Sequence, residues 1–394
     1  MTPDTEEAVA EAVRAAHAAR EPLAIEGRGT KRAMLRPVQA ARTLSTRALT
    51  GITLYRPTEL VISARAGTPV AEIEAALAEK RQQLIAEPPD LRALFGVAEG
   101  ATLGGTVAAN LSGPRRIAWG AMRDHVLGIR AVTGEGEVFR SGGRVLKNVT
   151  GLDLCKLLTG AHGTLGVLTE ITLKVLPAAE AAATLAVRVP DLAAGVAALS
   201  AALGSPYGVS GAALLPDGHD ALGLDGPVAL ARLEDFRESV SYRLARLRAD
   251  LARFGEGSML DGAPSRALWR AVRDATLLGA AEDEAVWRVS VAPSRAPGAA
   301  AALRAAFAAR LLLDWGGGLL WVAGPATAAA HGAVTQAAAA AGGAFTLFRA
   351  PESLAAAVAA LPEEPPALAA LGRRVKAVLD PAGILNPGRM RAGH

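Results

Sequence analysis

The segment at residues 100–110, GATLGGTVAAN, has the composition of a ligand-binding loop. Its glycines, Gly100, Gly104 and Gly105, lie among alanine and threonine, so little side-chain material covers the backbone. A flat or anionic ligand can approach main-chain N–H groups at such a segment. The alternative is structural, since a Gly/Ala-rich loop can also pack closely against a neighbouring helix. This central glycine segment by itself leaves both interpretations open.

Two further glycine clusters favour ligand binding. The first glycine loop, residues 27–31 (GRGTK), combines two glycines with Arg28 and Lys31, which predicts a pyrophosphate-binding loop. Arg32 stands where the G-x-G-x-x-G fingerprint needs glycine, and no Walker lysine pattern occurs, so a nicotinamide-binding Rossmann domain loses its main support. The third glycine turn, residues 160–166 (GAHGTLG), leads into a β-rich run.

Local patterns predict the elements that position these loops. Val70, Ile73 and Leu77 form the buried stripe of a helix that Thr68-Pro69 opens. The other predictions are an N-terminal helix, strands at 23–25 and 60–67, a hairpin around residues 133–136, and a C-terminal helix ended by Asp380-Pro381. We therefore expect a strand directly before the first glycine loop, and a strand and a helix directly before the central glycine segment.

The whole chain has the composition of a large globular protein. Its 394 residues predict two domains, and 51% hydrophobic against 20% charged residues supply a sizeable core. The net charge of +4 is dispersed and aromatic residues are few, so nucleic acid is not expected as a partner.

Location and redox state follow from a few features. The single cysteine, Cys155, is flanked by apolar residues and is predicted to be a core residue. The first 20 residues lack a secretory signal pattern, and no long uninterrupted apolar window is present. We expect a cytoplasmic protein.

Five ordered blocks carry a resemblance to a known family. They are GRGTK, GATLGGTVAAN with Gly113 and WGAMRDHVLG, GGRVLKNVTGLDL, GAHGTLGVLTEITL and LDPAGILNPGRM. In this order they resemble the FAD-binding domain of the p-cresol methylhydroxylase/vanillyl-alcohol oxidase superfamily. The middle region, with ARLEDFRESVSYR, LWRAVRD, VWRVSVAPS and DWGGGLLWV, is similar to the smaller FAD-binding subunits of bacterial glycolate oxidases.

The resemblance implies an FAD site with residues from every glycine cluster. The implied cofactor-binding residues are Gly27, Arg28, Gly29, Thr30, Lys31, Gly100, Thr102, Gly104, Gly105, Ala108, Asn110, Gly113, Gly163, Thr164, Gly166, Val167 and Asn386. Neither the first glycine loop nor the central glycine segment contains histidine or cysteine, so we expect non-covalent FAD.

The resemblance also implies a fold and an activity. The fold is α+β, with a two-subdomain FAD-binding domain at 1–178, an inserted α/β cap domain at 179–366, and a C-terminal segment at 367–394 that completes the flavin domain. The implied activity is oxidation of glycolate, a small 2-hydroxy acid, to glyoxylate, with a larger FAD-binding subunit and an iron–sulfur subunit as partners. Membrane contact is expected only peripherally, through those partners, at the inner face of the cytoplasmic membrane.

The chain departs from hydroxy-acid-oxidising relatives in its histidines. A stretch resembling H-x-x-D-G-N-x-H is absent, and the six histidines are dispersed without metal-ligand spacing, so no metal is expected. His219 is the nearest candidate for a base, although a lone histidine in such a turn is usually solvated. Catalytic residues stay unassigned, and two alternatives stay open: an assembly subunit with structural FAD, or a free-standing FAD-dependent 2-hydroxy-acid dehydrogenase.

Other candidates have a functional and a structural interpretation. Arg115, Arg116 and Lys147 could stabilise a reduced flavin, or each could be a surface cation. Four tryptophans could form an electron relay or a substrate wall, but core anchoring is the more common role; they are Trp269, Trp287, Trp315 and Trp321. The segment DWGGGLLWV could also be an edge strand against a partner.

Overall fold

The computed structural model describes residues 1–143, 151–219 and 223–393. The chain forms two compact units. The first unit consists of Met1–Ser112, Gly120–Ala178 and Glu363–His394, and the second of Gly113–Trp119 and Ala179–Pro362. The short segment Gly113–Trp119 groups with the second unit. The predicted domain of residues 1–178 is contiguous and places this segment in the flavin domain. The second unit is inserted in sequence between two parts of the first.

The elements are named in chain order. The strands are β1 (Leu23–Glu26), β2 (Arg42–Ser45), β3 (Ile52–Arg56), β4 (Val61–Arg65), β5 (Gln82–Leu84), β6 (Val126–Val132), β7 (Val138–Gly142), β8 (Val167–Pro177), β9 (Ala181–Arg188), β10 (Val209–Leu215), β11 (Gly218–His219), β12 (Leu224–Asp225), β13 (Val228–Asp235), β14 (Gly257–Asp261), β15 (Glu284–Ser290), β16 (Arg310–Asp314), β17 (Leu319–Pro325) and β18 (Ala344–Arg349). The helices are α1 (Glu6–Ala19), α2 (Val70–Glu79), α3 (Arg92–Phe95), α4 (Leu103–Ala108), α5 (Arg116–Trp119), α6 (Met122–His125), α7 (Leu154–Leu158), α8 (Leu192–Leu203), α9 (Arg237–Leu251), α10 (Gly262–Arg273), α11 (Ala296–Ala306), α12 (Ala328–Ala340), α13 (Glu352–Ala357) and α14 (Pro366–Leu379).

The first unit is built on a sheet of order β3-β4-β8-β6-β7, with β5 pairing to β8, and on the separate parallel pair β1-β2. The predicted strand at 60–67 is β4, and the predicted hairpin is the antiparallel pair β6-β7. The predicted helix after Thr68 is α2, with Pro69 at the N-cap rather than inside the helix. Helices and largely antiparallel sheets together make the predicted α+β fold.

An apolar cluster holds β1 and the C-terminal segment together. Val9 and Val13 of α1, whose N-terminus Thr5 caps, are fully buried with Leu23 and Leu385. The Leu23 backbone N–H donates to the Ile384 carbonyl at 2.8 Å. The chain therefore returns to its first strand after completing the second unit.

The second unit is built on an antiparallel sheet of order β14-β9-β13-β10-β16-β17-β15-β18. Successive residues of a strand point to opposite faces. On one face Trp287 of β15 packs against Phe307 and donates to His331 Nδ1 at 3.2 Å, while Arg288 points to the other. Because β16 and β17 lie inside the sheet, the edge-strand interpretation of DWGGGLLWV is wrong.

The structure bears on two further features, the single cysteine and the presence of membrane-spanning helices. Cys155 is buried in the core of the first unit, donates to the Ser141 carbonyl, and has a pKa raised by burial, as expected of a core thiol. Among the described residues, no helix combines the length and apolar character that a membrane crossing requires.

Candidate functional site

The first glycine loop leaves a run of backbone donors open. Ser45 Oγ donates to the Gly27 carbonyl at 2.6 Å and Thr46 Oγ1 to the Glu26 carbonyl at 3.3 Å, so the end of β2 and the residue after it fix the start of the loop. The N–H groups of the next four residues, 28–31, have no acceptor in the part of the chain that the structure describes. Gly29 has φ 70°, a conformation that glycine adopts freely. Such consecutive unpaired N–H groups form an anion-binding concavity.

Two cations in this loop lack a carboxylate partner within the described ranges. Lys31 Nζ lies 3.4 Å from Thr30 Oγ1 and forms no ion pair there. Burial, and secondarily the charge of Arg389, lowers the pKa of Lys31 to about 8. The Nε atom of Arg28 is buried without a hydrogen-bond partner. Unpaired buried cations are costly, so this loop fits a negatively charged ligand.

Arg389, which sequence reasoning missed, supports the loop through its carbonyls. Its guanidinium donates to the carbonyls of Lys31 at 2.5 Å, Arg32 at 3.0 Å and Arg36 at 3.1 Å. It is 9% exposed, and burial lowers its pKa to about 10. The sequence feature that could have indicated Arg389 is a cation directly after the turn at Asn386-Pro387-Gly388.

The central glycine segment contains the short helix α4, and the backbone donors at the start of that helix are already used. Leu103 N–H donates to the Thr68 carbonyl, Gly104 N–H to the Ala66 carbonyl at 2.7 Å, and Gly105 N–H to Thr102 Oγ1 at 3.2 Å. A Cβ at Gly104 would lie 2.7 Å from Ala66 Cβ. Close packing therefore explains Gly104, although against the residue after β4 rather than a helix, and the N–H groups of residues 103–105 are not open to a ligand.

The central segment instead presents a glycine surface, here called the glycine wall, beside the first glycine loop. A Cβ at Gly105 would face Lys31 Nζ at 3.5 Å and Thr102 Oγ1 at 3.2 Å. A Cβ at Gly27 would lie only 2.3 Å from Thr102 Oγ1. Nothing lies within 4 Å of the corresponding position at Gly100. The structure thus brings residues 27–31 and 102–105 together.

The third glycine turn lies along the end of α4. Gly160 N–H donates to the Val107 carbonyl at 3.2 Å and His162 N–H to the Ala108 carbonyl at 2.9 Å. Gly163 has φ 72°, and a Cβ there would lie 2.8 Å from Asn386 Nδ2. The turn therefore joins the wall formed by the central segment to the C-terminal segment.

Asn386 links the turn to β1. Its Oδ1 accepts from Ile25 N–H at 2.7 Å, and its Nδ2 donates to the carbonyls of Ile25 at 3.2 Å and His162 at 2.7 Å. The residue is 3% exposed and has φ 46°. Both amide hydrogens are used within the protein, so its side chain acts as a clamp between β1 and the third glycine turn.

His162 is a second residue that sequence reasoning did not place in the site. Burial lowers the pKa of its imidazole to about 3, with further lowering by the charges of Arg389 and Lys31. The ring is therefore neutral at physiological pH and lies in the field of both cations. The sequence feature that could have indicated this position is a histidine directly before a glycine in GAHG, residues 160–163.

Several predicted residues contribute to the surroundings. Val167 is fully buried in the cluster with Leu23, and a Cβ at Gly166 would press on the Val132 carbonyl at 3.2 Å. Thr164 Oγ1 donates to the Ala161 carbonyl at 2.7 Å, and Asn110 Oδ1 accepts from Arg123 N–H at 3.0 Å.

Other candidates lie in the second unit. Gly113 belongs there, where its carbonyl accepts from Trp315 Nε1 at 3.1 Å. Arg115 is not a surface cation, because its side chain is 12% exposed and paired with Glu234. Trp269 and Trp287 are buried core residues, as the structural interpretation expected. Lys147 lies outside the described residues.

No base or metal ligand set is assembled by the described residues. His219 lies in the short strand β11, where its Nδ1 is buried without a hydrogen-bond partner, so no described carboxylate orients it. In the same residues, no group of three His, Cys, Asp or Glu side chains could hold a metal ion.

Together these residues fit a flat ligand that carries a diphosphate. Open N–H groups and unpaired cations suit the anionic part, and glycine walls that a Cβ would fill suit a planar part. Residues 1–142 match the family described as FAD binding domain. The chain is also 36% identical to the glycolate oxidase subunit GlcE of Escherichia coli (strain K12), over 99% of this chain and 98% of that one. The chain belongs to the GlcE family of FAD-binding oxidoreductases.

Two further comparisons concern part of the sequence and the fold. The chain is 40% identical to the glycolate oxidase subunit GlcD of Bacillus subtilis (strain 168) over 84 residues, 21% of this chain and 18% of that one. It shares its fold with p-cresol methylhydroxylase, with a TM-score of 0.74 and 16% identity, over 100% of this chain and 88% of that one. The predicted family, the fold and FAD as cofactor are thereby confirmed.

Proposed function

We propose that this chain is an FAD-binding subunit of a multi-subunit dehydrogenase that oxidises glycolate to glyoxylate. The single observation that carries the cofactor role is the first glycine loop, where four N–H groups have no described acceptor and lie beside Lys31, which has no described carboxylate partner. Full-length similarity to a protein named as a glycolate oxidase subunit supports the substrate class and membership in a complex.

The chain's own residues would bind and orient the cofactor. The N–H groups of residues 28–31 and the Lys31 ammonium would bind the diphosphate. Arg389 would hold the first glycine loop in place, and Asn386 would hold the third glycine turn. Bound FAD supplies a two-electron acceptor for the conversion of a CH–OH group to a carbonyl. We expect the cofactor to be non-covalent, since residues 27–31 and 100–110 contain neither histidine nor cysteine.

Substrate turnover requires more than the described residues provide. Oxidation of glycolate removes two electrons and two protons, and removal of the hydroxyl proton is normally assisted by a positioned base, worth about 10²- to 10⁴-fold in rate. We therefore propose a larger FAD-binding subunit as the partner that contributes the base, and an iron–sulfur subunit as electron acceptor. The complex is proposed to work in the cytoplasm, reaching the membrane only through its partners.

The structural-FAD alternative predicts a different mutational outcome. Gly105→Leu would fill the glycine wall while leaving the packing at Gly104 intact, and Gly298→Leu, on an open face of α11, is the matched control. Visible flavin absorbance of the purified chain measures binding. If the Gly105 variant lacks FAD but its reconstituted complex oxidises glycolate at the control rate, the flavin is structural.

The test of the proposed function is purification of the chain alone and with its co-purifying proteins. We expect flavin absorbance that is released by acid precipitation, and glycolate-dependent dye reduction only when a larger flavoprotein and a cysteine-rich iron–sulfur protein are present. A chain that binds no FAD, or that turns over glycolate alone at the full rate, would overturn the proposal.

A further inference from the structure

The second unit contains a buried guanidinium surrounded by aromatic rings. Arg288 of β15 has its Cζ 5.1 Å from the ring centroid of Trp315, 5.0 Å from Trp321 and 5.6 Å from Phe348. Trp321 is its cross-strand partner on β17, so the sheet register brings these two side chains onto one face. Ring faces attract a cation and fix its position.

These contacts leave the N–H donors of Arg288 without an acceptor among the described residues. Its Nε is buried without a hydrogen-bond partner, and in the described ranges the side chain forms no hydrogen bond or ion pair. Burial, and then the charge of Arg116, lowers its pKa to about 10, while Asp314 acts in the opposite direction. A guanidinium held by its faces keeps its edge donors available for a planar anion.

A second guanidinium contacts the same indole. Arg116 lies 4.5 Å from the ring centroid of Trp315 and raises the positive potential at Arg288. Trp315 itself has φ 54°, and Gly316 and Gly317 follow with φ 68° and 96°. A bulky residue in this conformation is strained, and such strain persists where the surroundings hold it for a purpose. The indole donates to the Gly113 carbonyl, which fixes its orientation.

We propose that Arg288 and Arg116, positioned by Trp315, bind the carboxylate of a small organic acid within the second unit. The fork of a guanidinium matches a carboxylate bidentately. Aromatic walls favour an anion with a carbon substituent over strongly hydrated sulfate or phosphate. The assignment of this acid as the 2-hydroxy acid that is oxidised rests on the proposed function.

The experiment titrates the purified full-length chain with glycolate, acetate, sulfate and chloride at constant ionic strength. Tryptophan fluorescence and the thermal midpoint Tm are the readouts. We expect glycolate and acetate to give saturable changes, and sulfate and chloride to give none. The proposal would be overturned if sulfate bound as tightly as glycolate. It would also be overturned if neither glycolate nor acetate gave a saturable response.

Variants assign the response to the two arginines. Arg288→Met and Arg116→Met should each weaken carboxylate binding about 10- to 100-fold, the range for loss of hydrogen bonds to a charged group. Arg304→Met, which removes an exposed cation paired with Asp217, is the matched control and should leave binding unchanged. Unchanged affinity in both the Arg288 and Arg116 variants would contradict the proposal.

Stability distinguishes a ligand site from a structural stack. Without acid, Arg288→Met should raise Tm, because it removes a buried charge that forms no ion pair among the described residues, and the acid-dependent rise in Tm should disappear. A purely structural arginine would lower Tm on removal. These readouts need no glycolate oxidation, so a chain that binds carboxylate but not FAD would refute the proposed function alone.

Discussion

Asn386 clamps Ile25 through both backbone groups of that residue, although 361 positions separate them in the sequence. The same amide also holds the His162 carbonyl, so one side chain joins β1 to the third glycine turn. The first glycine loop begins two residues after Ile25. The clamp therefore sets where that loop stands relative to the turn.

Asn386→Asp is expected to destabilise the protein by about 2–4 kcal/mol. The carboxylate keeps the bond from Ile25 N–H but faces two carbonyls that it cannot donate to, and each unsatisfied buried group costs about 1–3 kcal/mol. Urea unfolding measures the loss. Asn110→Asp is the control, since among the described residues the Asn110 side chain is hydrogen-bonded through Oδ1 alone, and equal losses in the two variants would refute the clamp.

Gly27→Ala and Thr102→Ala test the contact between the first glycine loop and α4. A methyl group at Gly27 collides with Thr102 Oγ1 and should cost about 1–3 kcal/mol, as overpacking does. Loss of the Thr102 cap should cost about 1 kcal/mol. Because Thr102→Ala removes most of the collision, the double variant should lose less than the sum, as a double-mutant cycle in urea measures. Strict additivity would mean that the two residues do not touch.

FAD affinity should depend on pH through Lys31. The pKa of Lys31 is about 8 without ligand, and the diphosphate binds the ammonium form. Affinity should therefore be full below pH 8 and should fall above it, by at most about ten-fold per pH unit. Flavin titration between pH 6.5 and 9.5 checks the profile.

Lys31→Met removes the charge at every pH. Its FAD affinity at pH 7 should be about 10- to 100-fold weaker, and the fall above pH 8 should vanish. Lys80→Gln, at the exposed end of α2, should retain the wild-type profile. A Lys31 variant that keeps the pH dependence would assign it to another group.

Glu234 supports the second unit as the carboxylate of a buried triad with Arg115 and Arg232. Burial alone would raise its pKa, but the charges of Arg232 and Arg115 outweigh this and lower it to about 2. A lowered carboxyl pKa stabilises the fold above the unfolded value, here about 4.5, and this contribution is lost as pH falls toward 2. Acid unfolding should therefore steepen in this window.

Glu234→Gln leaves both arginines without their carboxylate and should lower the free energy of unfolding at pH 7 by about 3–5 kcal/mol. Asp217→Asn breaks only the exposed pair with Arg304 and should cost about 0–1 kcal/mol. Urea unfolding at pH 7 and at pH 3 compares the two. If the Glu234 variant loses no more than the Asp217 variant, the triad is not important for stability.

Sequence reasoning predicted the features that short patterns encode. The strand β4, the helix α2 with its stripe of Ile73 and Leu77, and the β6-β7 hairpin all follow from periodicity and turn chemistry within about 15 residues. The open backbone and the positive charge of residues 27–31 also followed, because glycine and cation content are local properties, and anion binding there stays a prediction.

Properties that depend on distant residues could not be predicted in this way. Whether Gly104 or Gly105 faces the first glycine loop depends on Ala66, which uses the Gly104 N–H, and on Lys31, which faces Gly105. The positions of His162 and Arg389 depend on contacts formed only after folding. The Arg288 cluster requires the order of the eight-stranded sheet, which local patterns do not encode.

The return of the C-terminal segment to β1 also has a consequence for biosynthesis. Asn386 follows the second unit in the chain, so the ribosome must complete residues 179–362 before the Ile25 clamp can close. A nascent chain that has only its first half outside the exit tunnel carries the first glycine loop with Ser45 and Thr46 but lacks Asn386 and Arg389. The bracing of the first glycine loop and the third glycine turn by the C-terminal segment therefore cannot form before that segment has been synthesised.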